Sequence, residues 1–263
     1  MQNNIPIHST ADFEGMRKAG SLTSRILDEL EQLITPGIST LEINNFCHKM
    51  IIENDAIPAP LNYKGFPKSI CTSVNHVVCH GIPSQKKNLQ NGDIINIDVT
   101  VILDGWFGDC SRMFVAGKTN KKTYSFLKTT YECLLIGIKN AVPGKSLGDI
   151  GYEIQKYAEK NNYSVVRDFC GHGIGKKFHT PPSVLHYGNL GEGPELKPGM
   201  FFTIEPMINM GDWKIKILKD GWTAVTKDKS LSAQFEHTIG ITETGNEIFT
   251  LSHNNSDFPI EPL

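Results

Sequence analysis

The chain has 263 residues, 39% of them hydrophobic and 21% charged, with a formal net charge of −2. That length supports one large domain or two small ones, and the near-neutral balance offers no basic face for nucleic acid or an acidic membrane surface. No apolar run reaches membrane-spanning length, and the N-terminal stretch lacks the basic and apolar regions of a secretory leader. The six cysteines form no CxxC pair, so a cytoplasmic chain with free thiols is expected.

Ser9 or Thr10 can cap a first helix. Phe13, Met16, Ala19, Thr23, Ile26, Leu27, Leu30 and Ile34 fall on one face of it, and Thr35-Pro36-Gly37 stops it. Ser39-Thr40-Leu41-Glu42 reads as a capping box opening a second helix to about Glu53. The Pro- and Gly-rich stretch 56–68 reads as a loop, whose Tyr63 and Phe66 suit a lid or a pocket wall. An extended pattern follows over 69–80. Residues 91–112 then read as a β-hairpin: β-branched residues from Ile94 to Ile102, an Asp104-Gly105 turn and a return strand.

Two acids, Asp98 and Asp109, interrupt this hairpin, and antiparallel strands can aim both at one spot. A buried unpaired carboxylate is too costly, so a positive group must lie between them. Arg112 is one candidate and a metal ion is the other.

From Thr123 the pattern starts again, with a helix stopped at Val142-Pro143-Gly144 and a new one opened by Ser146-Leu147-Gly148-Asp149. Pro36 and Pro143 lie 143 − 36 = 107 residues apart, and the same offset separates Ser39 from Ser146, Gly92 from Gly199, and Asp98 from Glu205. Four matches at one offset point to an internal duplication, with halves of roughly 10–120 and 121–251. The duplication puts Glu205 where the first half has Asp98. Glu236, in the strand-like run 232–241, is expected on the counterpart of the Asp109 strand. Its neighbour His237 must then face the other way. Histidines also recur, in Cys79-His80-Gly81 and Gly171-His172-Gly173. Each residue alone has a plain structural explanation. Together, four acids on apolar strands and an imidazole form an oxygen-rich site with excess negative charge, better suited to a pair of divalent ions than to one. The GHGIGKK run lacks the spacing of a phosphate loop, and HExxH, GxSxG and a dinucleotide fingerprint are all absent.

The set Asp98, Asp109, His172, Glu205 and Glu236, with NYKGFPKSICTSVNHVVCHGIP, GHGIG and TIEPM, resembles type I methionine aminopeptidase of the bacterial kind, over nearly the whole chain from Phe13 to Leu251. The resemblance implies an α/β pita-bread fold, one catalytic domain over 1–263 whose two pseudo-two-fold halves present antiparallel sheet covered by helices. It implies two divalent ions (Co, Mn, Fe or Zn), with Asp98 on one, Asp109 and Glu236 bridging, and His172 and Glu205 on the other. His80 and His179 would contact the scissile amide and carbonyl, and Glu205 would shuttle a proton. Tyr63, Phe66, Cys71, Phe178 and Trp222 would line the methionine pocket. A monovalent cation would use carbonyls of Asn75, Val77 and Ser232. Phe66 stands where tyrosine is frequent and Lys64 where bacterial members often carry histidine.

The implied activity is removal of the initiator methionine from nascent chains with a small second residue, by hydroxide attack on the scissile carbonyl. A monomer with transient ribosome association is expected. Two alternatives remain. A proline-specific aminopeptidase or dipeptidase of the same fold usually carries a large domain ahead of the catalytic one, for which too few residues precede Asp98. A metal-free binding module would have lost ligands that are all present here.

Overall fold

The computed structural model describes residues 4–255 and 257–260. Helices α1 (Thr10–Leu30), α2 (Thr40–Glu53), α3 (Lys121–Asn140) and α4 (Leu147–Lys160) lie outside a central layer of antiparallel strands. None of the described helices is long and apolar enough to cross a membrane. Helix α1 ends a turn earlier than its apolar stripe, at Leu30. The stripe continues because Ile34, on the turn that follows, is still buried.

Capping fixes where α2 and α4 begin. Ser39 N–H donates to Glu42 Oε2 at 2.8 Å while Glu42 N–H donates back to Ser39 Oγ at 3.2 Å. Ser146 and Asp149 repeat both bonds at 2.8 and 3.2 Å. The same local pattern recurs around the Pro-Gly stops: Gly37 N–H donates to Leu89 O at 2.8 Å, and Gly144 N–H to Leu196 O at 3.1 Å. Isolated bridges join Ser39 to Asn88 and Ser146 to Glu195. Each of these contacts has its mate 107 residues on.

The hairpin is the longest ladder. Ile94–Leu103 pairs with Trp106–Val115 through a turn at Asp104 (φ 50) and Gly105 (φ 81), the left-handed pair that this tight connection requires. Its register sets Thr100 opposite Asp109 and Asp98 opposite Ser111. Strand alternation therefore puts both acids on one face, while Ile97, Val99 and Val101 face α1 and α2 in one core. Helices α3 and α4 build the second core with Phe202, Ile204, Ile239 and Ile241. Those residues belong to a five-stranded sheet in the order Asn246–Ile248, His237–Ile241, Phe201–Ile204, Gly171–Gly173, Thr180–Val184.

Arg112 is not the cation between the hairpin acids. It pairs opposite Ile97, so its side chain leaves by the other face. There it is buried, its Nη1 donating to Asp28 Oδ1 and its Nη2 lying 3.4 Å from Asp257. All six cysteines are free thiols.

Candidate metal centre and substrate cavity

A cavity of about 550 Å³ opens between the two groups of elements, and every residue assigned to the site from the sequence lines it, apart from the proposed monovalent-cation residues. The hairpin contributes Asp98 and Asp109. The strand Gly171–Gly173 contributes His172, Glu205 follows the strand Phe201–Ile204, and Glu236 precedes the strand His237–Ile241. His172 Nε2 lies 3.5 Å from Asp109 Oδ2 and 3.7 Å from Glu205 Oε1. Ligand atoms of Asp109, His172 and Glu236 all lie within 4.8 Å of one another. Glu236 faces this centre, whereas His237 faces away, 2.9 Å from Thr250 Oγ1, so the two neighbours divide between opposite faces as strand alternation requires.

The electrostatics of the group are unfavourable without a cation. Burial, with Asp109 and Glu205 nearby, pushes the Asp98 carboxyl well above the usual range, and burial with Asp109 does the same to Glu236. Burial pushes Glu205 up to about 7, against the opposing pull of His172 and Thr203. Burial would lower His172, but Asp109 and Glu205 outweigh it and leave the imidazole above its ordinary value. Asp98 Oδ1 is buried with no hydrogen-bond partner. An orphaned carboxylate oxygen facing three more acids, with one imidazole whose Nδ1 lies 3.2 Å from Gly173 O and whose Nε2 faces the acids, is a donor set that fits divalent metal.

Several residues that hold the acids have no distinct signal in the sequence. Thr100 Oγ donates to Asp109 Oδ1 at 2.8 Å, and Thr203 Oγ donates to Glu205 Oε1 at 2.6 Å. Gln234 Nε2 donates to Glu205 Oε2 at 3.1 Å, and Glu205 N–H donates to His186 Nε2 at 3.0 Å. The two threonines lie two residues from Asp98 and Glu205, so strand alternation alone could have found them. Gln234 and His186 are reached only through tertiary pairing.

The other wall is aromatic. Phe66 is buried and meets Trp222 edge-on at 5.2 Å, and Tyr63 packs against Phe178 at 5.0 Å. Cys71 pairs opposite Asp98, its thiol pushed well above its ordinary value by burial. Phe169 and Met207, not singled out from the sequence, also line the cavity. His80, held at φ 55, stands edge-on to Phe169 at 5.3 Å and to Trp222 at 6.1 Å. The His179 ring lies tilted against His172 at 4.1 Å, and its Nδ1 lies 3.1 Å from the Tyr63 hydroxyl. Burial and the adjacent His172 hold His179 down at about 4, so it is neutral at pH 7. Lys64 is exposed at the rim, its ammonium 5.2 Å above the Tyr63 ring.

Comparison with known proteins matches this architecture to a family. Residues 14–243 match the model of metallopeptidase family M24. The chain is 59% identical to methionine aminopeptidase of Rickettsia prowazekii over 256 residues, 97% of this chain and 98% of that protein. It is 49% identical to methionine aminopeptidase of Escherichia coli K12, covering 96% of each. The crystal structure of the Rickettsia prowazekii enzyme superposes with a TM-score of 0.93 over 94% of this chain and all of that one. A prolidase from Pyrococcus furiosus, 21% identical, matches with a TM-score of 0.73 over 93% of this chain and 65% of its own, which shows a shared fold alone. The chain belongs to metallopeptidase family M24, among its methionine aminopeptidases.

Proposed function

We propose that this chain is a metal-dependent aminopeptidase that removes the N-terminal methionine of newly made proteins when the second residue is small. One observation carries the reading. Asp98, Asp109, His172, Glu205 and Glu236 form one wall of the cavity that Tyr63, Phe66, Phe178 and Trp222 close on the other. We read the chain as one catalytic domain with two repeated halves, a monomer in the cytoplasm with transient ribosome contact.

Asp98, Asp109, His172, Glu205 and Glu236 would hold two divalent ions, and Mn, Fe, Co and Zn all tolerate this oxygen-rich set with one nitrogen. Bound there, the ions would supply Lewis-acid activation of water and polarisation of the substrate carbonyl. Asn75, Val77 and Ser232 would offer carbonyls to a monovalent cation; the Ser232 N–H donates to Asn75 O at 2.9 Å.

The protein's own groups do the rest. Tyr63, Phe66, Cys71, Phe178 and Trp222 surround an unbranched thioether with rings and sulfur, which favours methionine over branched side chains. With the Tyr63 hydroxyl donating to Nδ1, neutral His179 carries its proton on Nε2 and donates it to the carbonyl oxygen, stabilising the charge that develops there. His80, kept neutral by burial, orients the amide on the leaving side. Glu205, a carboxylate beside the proposed ions, would take the proton of the attacking water and pass it to the departing amine.

The experiment is hydrolysis of short peptides by chelated protein, with and without added divalent ions. Cleavage of Met-Ala-Ser that depends on metal is the expected result. Metal-independent cleavage, or equal attack on Xaa-Pro peptides whatever Xaa is, would refute it.

A further inference from the structure

The two ladders that carry the acids share a register but not the same residues. In the hairpin Asp98 stands opposite Ser111, and Thr100 opposite Asp109. In the second ladder His237 pairs with Ile204 and Gln234 with Met207, which sets Glu236 opposite Glu205. Asp98 and Glu205 correspond, so Glu236 stands where the hairpin has Ser111 (236 − 111 = 125), and Gln234 stands where it has Asp109 (234 − 109 = 125). An acid of the first ladder is thus replaced by a neutral amide in the second.

Glu205 also lies at a break in its own strand. Pro206 has no N–H, and the ladder is interrupted between Phe201–Ile204 and Met207–Asn209. Side chains satisfy the main chain of Glu205. Glu205 N–H donates to His186 Nε2 at 3.0 Å, and Glu205 O accepts from Gln234 Nε2 at 3.3 Å. The carboxylate is held in the same way, Oε1 by Thr203 at 2.6 Å and Oε2 by Gln234 at 3.1 Å. Gln234 is only 4% exposed, and its main-chain carbonyl accepts from the buried Asn96 amide at 2.9 Å, so the hairpin sets where its backbone lies. One amide therefore binds both the main chain and the carboxylate of Glu205 and ties them to the first half. A carboxylate at this register could not donate and would add a fifth negative charge to the centre.

We infer that Gln234 is a positioning residue for Glu205, and that through Glu205 it sets how tightly the centre binds divalent metal. The inference rests on the proposed metal centre.

The test is titration of chelated protein with Mn²⁺ by calorimetry, alongside thermal unfolding without metal. Gln234→Met keeps the length and removes both donors, and Gln234→Asn keeps the amide but withdraws it by one methylene. Both should weaken Mn²⁺ binding by about 10–100-fold, as loss of a partner that orients a ligand does, while the metal-free melting temperature stays within a few degrees of the parent. In a Glu205→Gln background, Gln234→Met should add less than about a twofold loss, because its effect passes through the Glu205 carboxylate. Unchanged Mn²⁺ affinity in both variants would overturn the inference. So would a full additive loss in the Glu205→Gln background, or failure of both variants to fold, which would assign Gln234 to the fold itself. Absence of Mn²⁺ binding by the parent protein would refute the metal centre instead, and is distinguishable from all of these.

Discussion

The hairpin 94–115 and the second ladder, built from residues 201–209 and 232–241, have the same register and meet at one cavity, yet they are constructed differently. The hairpin is continuous, with a tight two-residue turn, and holds its acids by ordinary strand alternation. The second ladder is broken at Pro206, closed by a long excursion through 210–231, and holds Glu205 by side chains rather than by backbone pairing. The outer faces differ as well. Arg112 and His237 occupy equivalent registers, 237 − 112 = 125, and both approach Asp257, at 3.4 and 3.9 Å. One is a permanent cation. The other is a buried imidazole that burial and Arg112 hold down at about 3, so it stays neutral. A repeated backbone pattern therefore fixes where side chains point and leaves their chemistry free to diverge.

The largest test of this comparison removes acids from each ladder in turn. Asp98→Ala and Asp109→Ala from the hairpin, and Glu236→Ala from the second ladder, should each reduce peptide hydrolysis to background while the protein stays folded. Removing one acid from a crowded centre relieves repulsion, so the metal-free melting temperature should hold or rise. Retention of parental turnover with metal supplied, in any of the three, would show that both ladders are not needed at one centre. Substitution on the substrate side should cost less: His179→Ala is expected to lower kcat by about 10²–10³-fold, the usual loss of one donor to a developing oxyanion.

On the outer face, Arg112→Ala should destabilise the fold by about 3–5 kcal/mol, because it strands Asp28 as a buried, unpaired charge. His237→Gln, at the equivalent register and neutral to begin with, should cost less. Urea unfolding of both variants at pH 7 measures the difference, and equal losses would contradict the contrast.

The pH dependence sharpens the account of the centre. Glu205 sits near 7 in the folded protein against 4.5 as a free side chain, and Asp98 and Glu236 are also raised. An acid with a raised folded pKa contributes stability that is complete below its unfolded value and is lost as pH rises through the folded one. For Glu205 that window runs from about 4.5 to about 7. Metal held by these acids as proposed would displace the protons, so the gap in melting temperature between loaded and chelated protein should widen from pH 5 to pH 8. Contributions from buried histidines elsewhere are common to both forms and cancel in the difference. A gap that stayed constant would remove the repulsive centre from the explanation.

The smallest effect compares the two capped helices. Ser39→Ala and Ser146→Ala each delete a bond to the helix start and should each cost about 1 kcal/mol. Thermal unfolding of the two variants should give closely similar losses, since the local geometry is the same.

Much of this molecule is legible in the chain itself. The helix boundaries at Ser39 and Ser146 follow from local capping, the hairpin from β-branched residues around Asp104-Gly105, and the acids of the centre from polar interruptions of apolar strands. These are short-range rules, satisfied by residues within a few positions of each other. The repeat at 107 residues extended them to Glu205, because one matched pattern carries its neighbours with it. What the sequence left open depended on register and on which face of a strand a side chain takes. Arg112, close to Asp98 and Asp109 in sequence, is turned by its pairing with Ile97 onto the opposite face, towards Asp28. Gln234 and His186 carry no local mark, yet they complete the bonding of Glu205. Only the tertiary structure decided these, since an unpaired backbone group or a buried charge takes its partner from whatever the fold brings within about 3 Å, without regard to distance along the chain.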